Sequence, residues 1–519
     1  MKGVRGLTLA LGLLVAGTVP VDAQFEMVGE INFPTSATGE AQDHFLRGVS
    51  ILHSFGWKQA IAEFEAAQAI DPDFVMAYWG ESLAYNHPLN SRMDATEPSR
   101  VLLKLAPTAA ARAAKAPTDR EKGFLAAVEI LWAEGEHVQR RLDYMDAMEE
   151  LYAKYPEDTE VAAFYALSML SAVGATRDLS GRLNVKAGTI ALDLFNAYPN
   201  HPGVAHYTIH SFDDPLHAPL ALEAAHAFAN IAPAIAHAIH MPTHIFIQHG
   251  MWSHVSDNNQ RAYDAARALW RPGDSLGDAI HPLDWGQYGD LQLGDYEKAR
   301  LWIARIEAMS TEGGFLEGGA RGESGVARAR SSVSLLNSRY TVETEEWKVL
   351  PVTSESSSNE LLATALSAYH MGDEQVVAQA EAAAKEQGGN GVIANEIGAL
   401  MHLEMGHGDV ATGFMDDAVA TIEAGAPPRG SASPIKPVHE LYGEILLDLG
   451  RPDDAMEKFE TSLLRMPNRP RSVLGLARAH AMAGHESAAA DSYKQLMEIW
   501  GGRTSFAGYQ EAMEYVRYN

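Results

Sequence analysis

The sequence predicts an all-α protein built from a repeated pair of antiparallel helices. Three observations carry this. Helix formers dominate the 519 residues and strand signals are scarce. The same residue types return at the same intervals: Gly48, Ala60, Phe64 and Pro72 near one end, and Gly443, Ala455, Phe459 and Pro467 near the other. Thirty-four residues beyond Ala455 and Phe459 stand Ala489 and Tyr493, and Pro199 and Pro233 are again 34 apart. Finally, short Gly-Asp or Gly-His turns punctuate the chain in "LQLGDYEKA" (291–299), "YHMGDEQVV" (369–377) and "LEMGHGDVA" (403–411).

Each repeated residue has a mechanical task. The small residues let two helices approach, the aromatic ring fills the space between them, and the proline stops the second helix. With the prolines taken as position 32, the chain resembles the tetratricopeptide repeat family over most of residues 41–505. That resemblance implies a right-handed helical solenoid whose first helices line a concave face. The rhythm breaks at the Gly-rich stretch 311–331 and at "PVTSESSSN" (351–359). The expected organisation is therefore an N-terminal array over 24–310, a Gly/Ser-rich insertion or linker over 311–360, and C-terminal repeats over 361–519. "APPRGSASPIKP" (426–437) reads as a separator between two C-terminal units.

The first 23 residues read as a secretory leader. "MKGVR" is positive, "GLTLALGLLVAG" is apolar but too short to span a bilayer, and "VPVDA" ends in small residues. Cleavage after Ala23 would give a periplasmic or secreted protein with no later membrane span. The formal charge is −28, which repels phosphate backbones and argues against a nucleic-acid partner. The chain has no cysteine, so disulfides, thiolate metal sites and cysteine nucleophiles are excluded. It also lacks a GxSxG elbow, a P-loop, an HExxH pair and a dinucleotide fingerprint after a strand.

Ten of the 21 histidines fall between residues 201 and 254, and the repeat register aligns them. In this family the inner face is formed mainly by positions 2, 5, 9, 12 and 13 of the first helix. Anchored on Pro199 and Pro233, His206 and His240 share position 5, and His210 and His244 share position 9. His237 takes position 2, and Asp213 and Asp214 take 12 and 13. The following repeat places His281, Asp284 and Tyr288 at 2, 5 and 9. Two successive helices thus carry matching His-x3-His ladders on one stripe. Helices pack about 8–10 Å apart, so side chains from both can meet at one ion.

His206, His210, His240 and His244 are accordingly the leading metal ligands, with His237 and His281 as additional ones. Asp213, Asp214, Asp284 and Tyr288 are the candidate acid–base groups or orienting partners. Such ligands suit zinc, copper, iron or nickel and disfavour calcium. Pro242, in "HAIHMPTHIF" (237–246), either kinks this helix or restarts it. Near the N-terminus His53 and His87 share position 13, with Trp79 at 5 and Asn86 at 12. These four are expected to wall a groove or touch a substrate. His201, His217, His226 and His254 fall off the stripe and are expected at the surface.

"ILHSF" (51–55), "AYNHP" (84–88), "HYTIHSFDDP" (206–215) and "HAIHMPTHIF" (237–246) resemble segments of a group of large exported bacterial tetratricopeptide proteins. That resemblance implies the fold and a shared site, with no activity attached. Three uses stay open. The chain is a metal-dependent enzyme, hydrolytic or oxidative, acting on a small molecule or peptide in the concave groove. Alternatively it is a non-catalytic scaffold for a protein partner, or a metal store or chaperone.

Overall fold

Helix pairs succeed one another from Glu40–His53 and Trp57–Ile70 at one end to Pro470–Met482 and Glu486–Ile499 at the other, with Ala507–Tyr518 as a closing helix. The structure is a computed structural model that describes residues 27–89, 94–271, 274, 276–311, 320–388 and 391–518. The expected leader lies outside the described residues. Among those described, all regular structure is helical, so the fold is an all-α array of successive helix pairs. No described helix is long and apolar enough to cross a membrane.

The repeated residues do what their spacing implies. Phe64 is fully buried between Gly48 of its own pair and Gly80 of the next. A Cβ on Gly48 would stand 2.8 Å from that ring, and one on Gly80 2.4 Å. Phe459 repeats the arrangement between Gly443 and Gly475, at 2.7 and 2.2 Å. Trp302 takes the same role against Gly286, at 2.6 Å. The glycines are there because the ring occupies the place of their side chains.

Part of the expected insertion is ordered repeat. Ala320–Thr344 forms a 25-residue helix packed on Gly277–Gln292 and Tyr296–Thr311. Ala329, Leu336 and Tyr340 bury one stripe of it, a helical spacing that the neighbouring glycines obscured. The most Gly-rich part, 312–319, lies outside the described residues.

The C-terminal repeats fold back onto the N-terminal array. Trp252 donates its indole N–H to the Asn468 carbonyl at 2.8 Å. Arg469, fully buried, pairs with Glu343 and Glu440, each at 2.7 Å, and donates to the Tyr288 hydroxyl at 3.3 Å. Farther along, burial pushes the Glu396 carboxyl up to about 8 against the opposing pull of Lys436. A carboxyl whose folded pKa lies above its unfolded value stabilises fully below the unfolded value, and that contribution is lost as pH rises through the folded one. Stability should therefore fall from about pH 4.5 to about pH 8 through this group. Glu396→Gln should flatten that part of the stability-against-pH curve and raise the melting temperature at pH 8, as read by circular dichroism melts.

Candidate metal centre

Three helical segments bring six imidazoles together. Pro202–Ser211 carries His206 and His210, residues 236–248 carry His237, His240 and His244, and Gly277–Gln292 carries His281. The six sort into two triads. Ligand nitrogens of His206, His210 and His237 lie within 4.8 Å of one another, and so do those of His240, His244 and His281. The triads are neighbours: ring centroids are 6.0 Å apart for His210 and His244, and 6.4 Å for His237 and His240. The nitrogens thus group as two sets of three, where the sequence pointed to one set on His206, His210, His240 and His244. The reason is local, because His237 and His281 stand closer to one ladder rung each than the rungs stand across the helix gap. The ring centroids of His206 and His237 are 4.9 Å apart, and those of His240 and His281 4.3 Å.

Pro242 restarts the helix rather than kinking it. Ala236–His240 ends, and Pro242–Gln248 begins with the proline in its first turn, where no N–H is required. The Thr243 hydroxyl donates to the freed His240 carbonyl at 2.7 Å. The break leaves the His240 and His244 rings 5.3 Å apart, both beside His281.

The outward nitrogens of three rings are tied down. His206 Nδ1 donates to the His53 carbonyl at 2.6 Å, and His244 Nδ1 to Asp213 Oδ2 at 2.7 Å. His240 Nδ1 donates to Asn259 Oδ1 at 2.6 Å. The Asn259 amide is oriented by its own Nδ2, which donates to the Val255 carbonyl at 2.8 Å. With Nδ1 protonated, Nε2 must carry the lone pair. The Nε2 atoms of His210, His240 and His244 are buried and have no hydrogen-bond partner. Each such orphan costs about 1–3 kcal/mol unless something takes its lone pair. Burial, then the neighbouring rings, holds His210, His237 and His240 well below the usual imidazole range. Burial likewise takes His206 down to about 3 and His281 to about 4. Neutral rings with free, converging lone pairs are what a transition-metal ion requires.

Aromatic rings that the sequence reading missed form the walls. Phe55 stacks on His237 at 5.1 Å and His210 at 5.9 Å, and meets His206 edge-on at 4.4 Å. Its φ of +55° is a left-handed conformation that a bulky residue adopts only at a cost, here at the histidine cluster. Trp57 stacks on Phe55 at 4.5 Å, and Trp285 lies 4.3 Å from His244 and 4.8 Å from His240. A proline-flanked loop signalled nothing to the sequence reading beyond a separator, yet it roofs the cluster. Gly430 N donates to Asp213 Oδ1 at 2.6 Å, and Gln248 Nε2 donates to the Pro428 carbonyl at 3.0 Å. A Cβ on Gly430 would stand 2.0 Å from the His244 carbonyl oxygen, so only glycine fits there.

Other expected residues find different roles. Asp214 closes a turn, accepting from the backbone of Leu216 and His217 and from the His217 ring. Asp284 pairs with Arg339 at 2.8 Å, and Tyr288 is committed to Arg469. Trp79 is 1% exposed and packs against Phe33, Phe45, Phe124 and Phe164, so it belongs to the core and not to a groove wall. Asn86 is buried as well. His87 stacks on Trp57 at 4.7 Å and is the outermost ring of the aromatic stack.

His53 and His201 are buried together on Glu160, and His201 is no surface residue. His53 Nε2 lies 2.9 Å and His201 Nε2 3.1 Å from the two Glu160 oxygens. The opposite nitrogens accept from the Tyr207 hydroxyl at 2.7 Å and from the backbone N–H of Gly203 at 3.1 Å. Every ring nitrogen of that group is satisfied, so it is a structural brace whose His53 carbonyl aims His206. Glu160→Gln should lower stability by about 2–3 kcal/mol in urea melts, because one histidine N–H then faces another donor. Any metal content should stay at the wild-type value.

No family model matches the chain, and no curated protein does. Solved structures that match include the APC/C hetero-tetramer Cut9–Hcn1, at 11% identity over 95% of this chain and 79% of that one, with a TM-score of 0.33. The human IFIT1 dimer with m7Gppp-AAAA matches at 12% identity over 96% and 93%, with a TM-score of 0.33. The P58(IPK) TPR domain matches at 12% over 92% and 99%, with a TM-score of 0.22. At these scores no functional argument passes from them to this chain.

Proposed function

We propose that this chain is an exported helical-repeat protein that holds two transition-metal ions side by side, one on His206, His210 and His237 and one on His240, His244 and His281. The observation that carries the reading is the set of orphaned Nε2 atoms on His210, His240 and His244, in a cluster where three Nδ1 atoms are already tied to oxygens. Nδ1–H donated to a carbonyl or carboxylate is the support that metal-bound histidines characteristically have. Export follows from the leader read in residues 1–23.

Three protein ligands leave an ion with an open position, which is the catalytic rather than the structural pattern. Zinc, copper and iron all accept this donor set, and a bound ion supplies either acidified water for hydrolysis or, for copper and iron, oxygen binding. The protein's own part is to keep the rings neutral, to fix which nitrogen faces inward, and to exclude bulk water with Phe55 and Trp285. We therefore read a metal-dependent enzyme for a small molecule. A non-catalytic scaffold is the rival use of such a solenoid. The loop at 428–430 lies across this part of the inner face, which leaves a peptide no open groove over the histidines.

Elemental analysis of protein purified without an affinity tag should find two transition-metal ions per chain. His210→Ala and His244→Ala should each remove one. A chelator should lower the melting temperature of the wild type, since an ion bound only to the folded state stabilises it. No stoichiometric metal, together with melting indifferent to chelator, would establish the scaffold instead. Metal that exchanges within seconds and supports no turnover would establish the store.

A further inference from the structure

The two proposed ions sit among neutral ligands. Six imidazoles contribute no negative charge, and Asp284 is already paired with Arg339. Asp213 alone adds a carboxylate, and it is shared among the His244 ring, Gly430 N–H and Gln248. Two divalent ions would leave most of their charge uncompensated, and the ion's own charge must be counted in such a site.

The surroundings add more positive charge. Arg429 lies on the roof loop between Pro428 and Gly430, both of which are bonded to the N-terminal array. The neighbouring Gly430 stands against the His244 backbone, where a Cβ would lie 2.0 Å from the His244 carbonyl oxygen. Arg429 is exposed, and among the described residues it makes no hydrogen bond or ion pair. This is a chain with 68 acidic residues against 40 basic ones, so carboxylate partners are plentiful elsewhere. Of the six imidazoles, His237, His244 and His281 are partly exposed and form the solvent edge of the cluster. Its walls are the rings of Trp57, Phe55 and Trp285.

We infer that the molecule received at this edge is a small organic carboxylate, its two oxygens held by the Arg429 guanidinium and its apolar body laid against the aromatic wall. A planar guanidinium matches the two oxygens of a carboxylate in a fork. The aromatic wall favours an organic body over an inorganic oxyanion. The anion also supplies the charge that the neutral ligand set lacks. Gly430 gives the loop its fixed height, and Asp213 binds loop and His244 together, so the backbone that carries Arg429 is held in place relative to the second triad.

This inference rests on the metal reading, and the test separates the two. Tag-free protein is first analysed for metal and reloaded with Co(II), whose visible absorption reports on its ligands. It is then titrated with benzoate, benzamide and inorganic phosphate, followed by absorption and calorimetry. Benzoate should bind and perturb the spectrum, while neutral benzamide should bind at least tenfold more weakly and phosphate more weakly than benzoate. Arg429→Gln should weaken benzoate about tenfold with unchanged metal content and melting temperature, because the side chain is exposed and unpaired. Equal benzoate affinity in Arg429→Gln, equal affinity for benzamide, or a preference for phosphate would overturn the inference with the metal reading intact. Absence of bound metal would overturn both.

Discussion

An imidazole buried in a protein has two nitrogens, and each must be satisfied or the fold bears the cost. This constraint separates the two histidine clusters of the molecule. Around Glu160 the accounting closes: both nitrogens of His53 and of His201 have partners. In the six-histidine cluster the Nδ1 atoms of His206, His240 and His244 are bonded to oxygens, His206 Nε2 lies 3.1 Å from His237 Nε2, and the Nε2 atoms of His210, His240 and His244 have no partner. The first arrangement holds a structure together. The second leaves lone pairs unmatched, at a cost of about 1–3 kcal/mol for each orphaned nitrogen.

The repeat architecture delivers that geometry cheaply. Consecutive helix pairs are copies at a fixed pitch, so a ladder written into one repeat reappears, shifted by one helix, in the next. The glycine and aromatic residues at each junction set how closely those ladders approach. The chain then closes over its own inner face. Asp213 accepts from the His244 ring with one oxygen and from the Gly430 backbone with the other, which ties the orientation of a proposed ligand to the docking of the C-terminal repeats. The two arrays are therefore coupled at the chemistry as well as at the Arg469 network.

Helical periodicity made much of this legible in advance. The stripe through His206 and His210 and its echo through His240 and His244 are sequence facts, and the restart at Pro242 was one of two readings that proline chemistry allows. The partition into triads was not legible. It depends on where His237 and His281 fall across the gap between helices, and spacing along one chain does not encode that distance. Trp79 was misplaced because inward register was equated with an open groove, whereas the segment before the first helix fills that space with Phe33. Phe55, Asn259 and Gly430 carried no local signal: an aromatic at a helix end, an amide on a second helix and a glycine in a proline-rich loop gain meaning only through distant partners. The histidine surplus itself was visible, but His201 was expected at the surface because it falls off the inward stripe, whereas it is buried as an N-terminal cap bonded to Glu160.

The central claim is that two ions occupy two adjacent sets of three histidines. Anomalous diffraction from crystals of the tag-free protein, collected at the absorption edge of the metal found, tests it most directly. The account predicts two peaks in the cluster, each with three imidazole nitrogens at about 2.0–2.1 Å if the metal is zinc. A single peak shared across His206, His210, His240 and His244, or no peak among these rings, would contradict it.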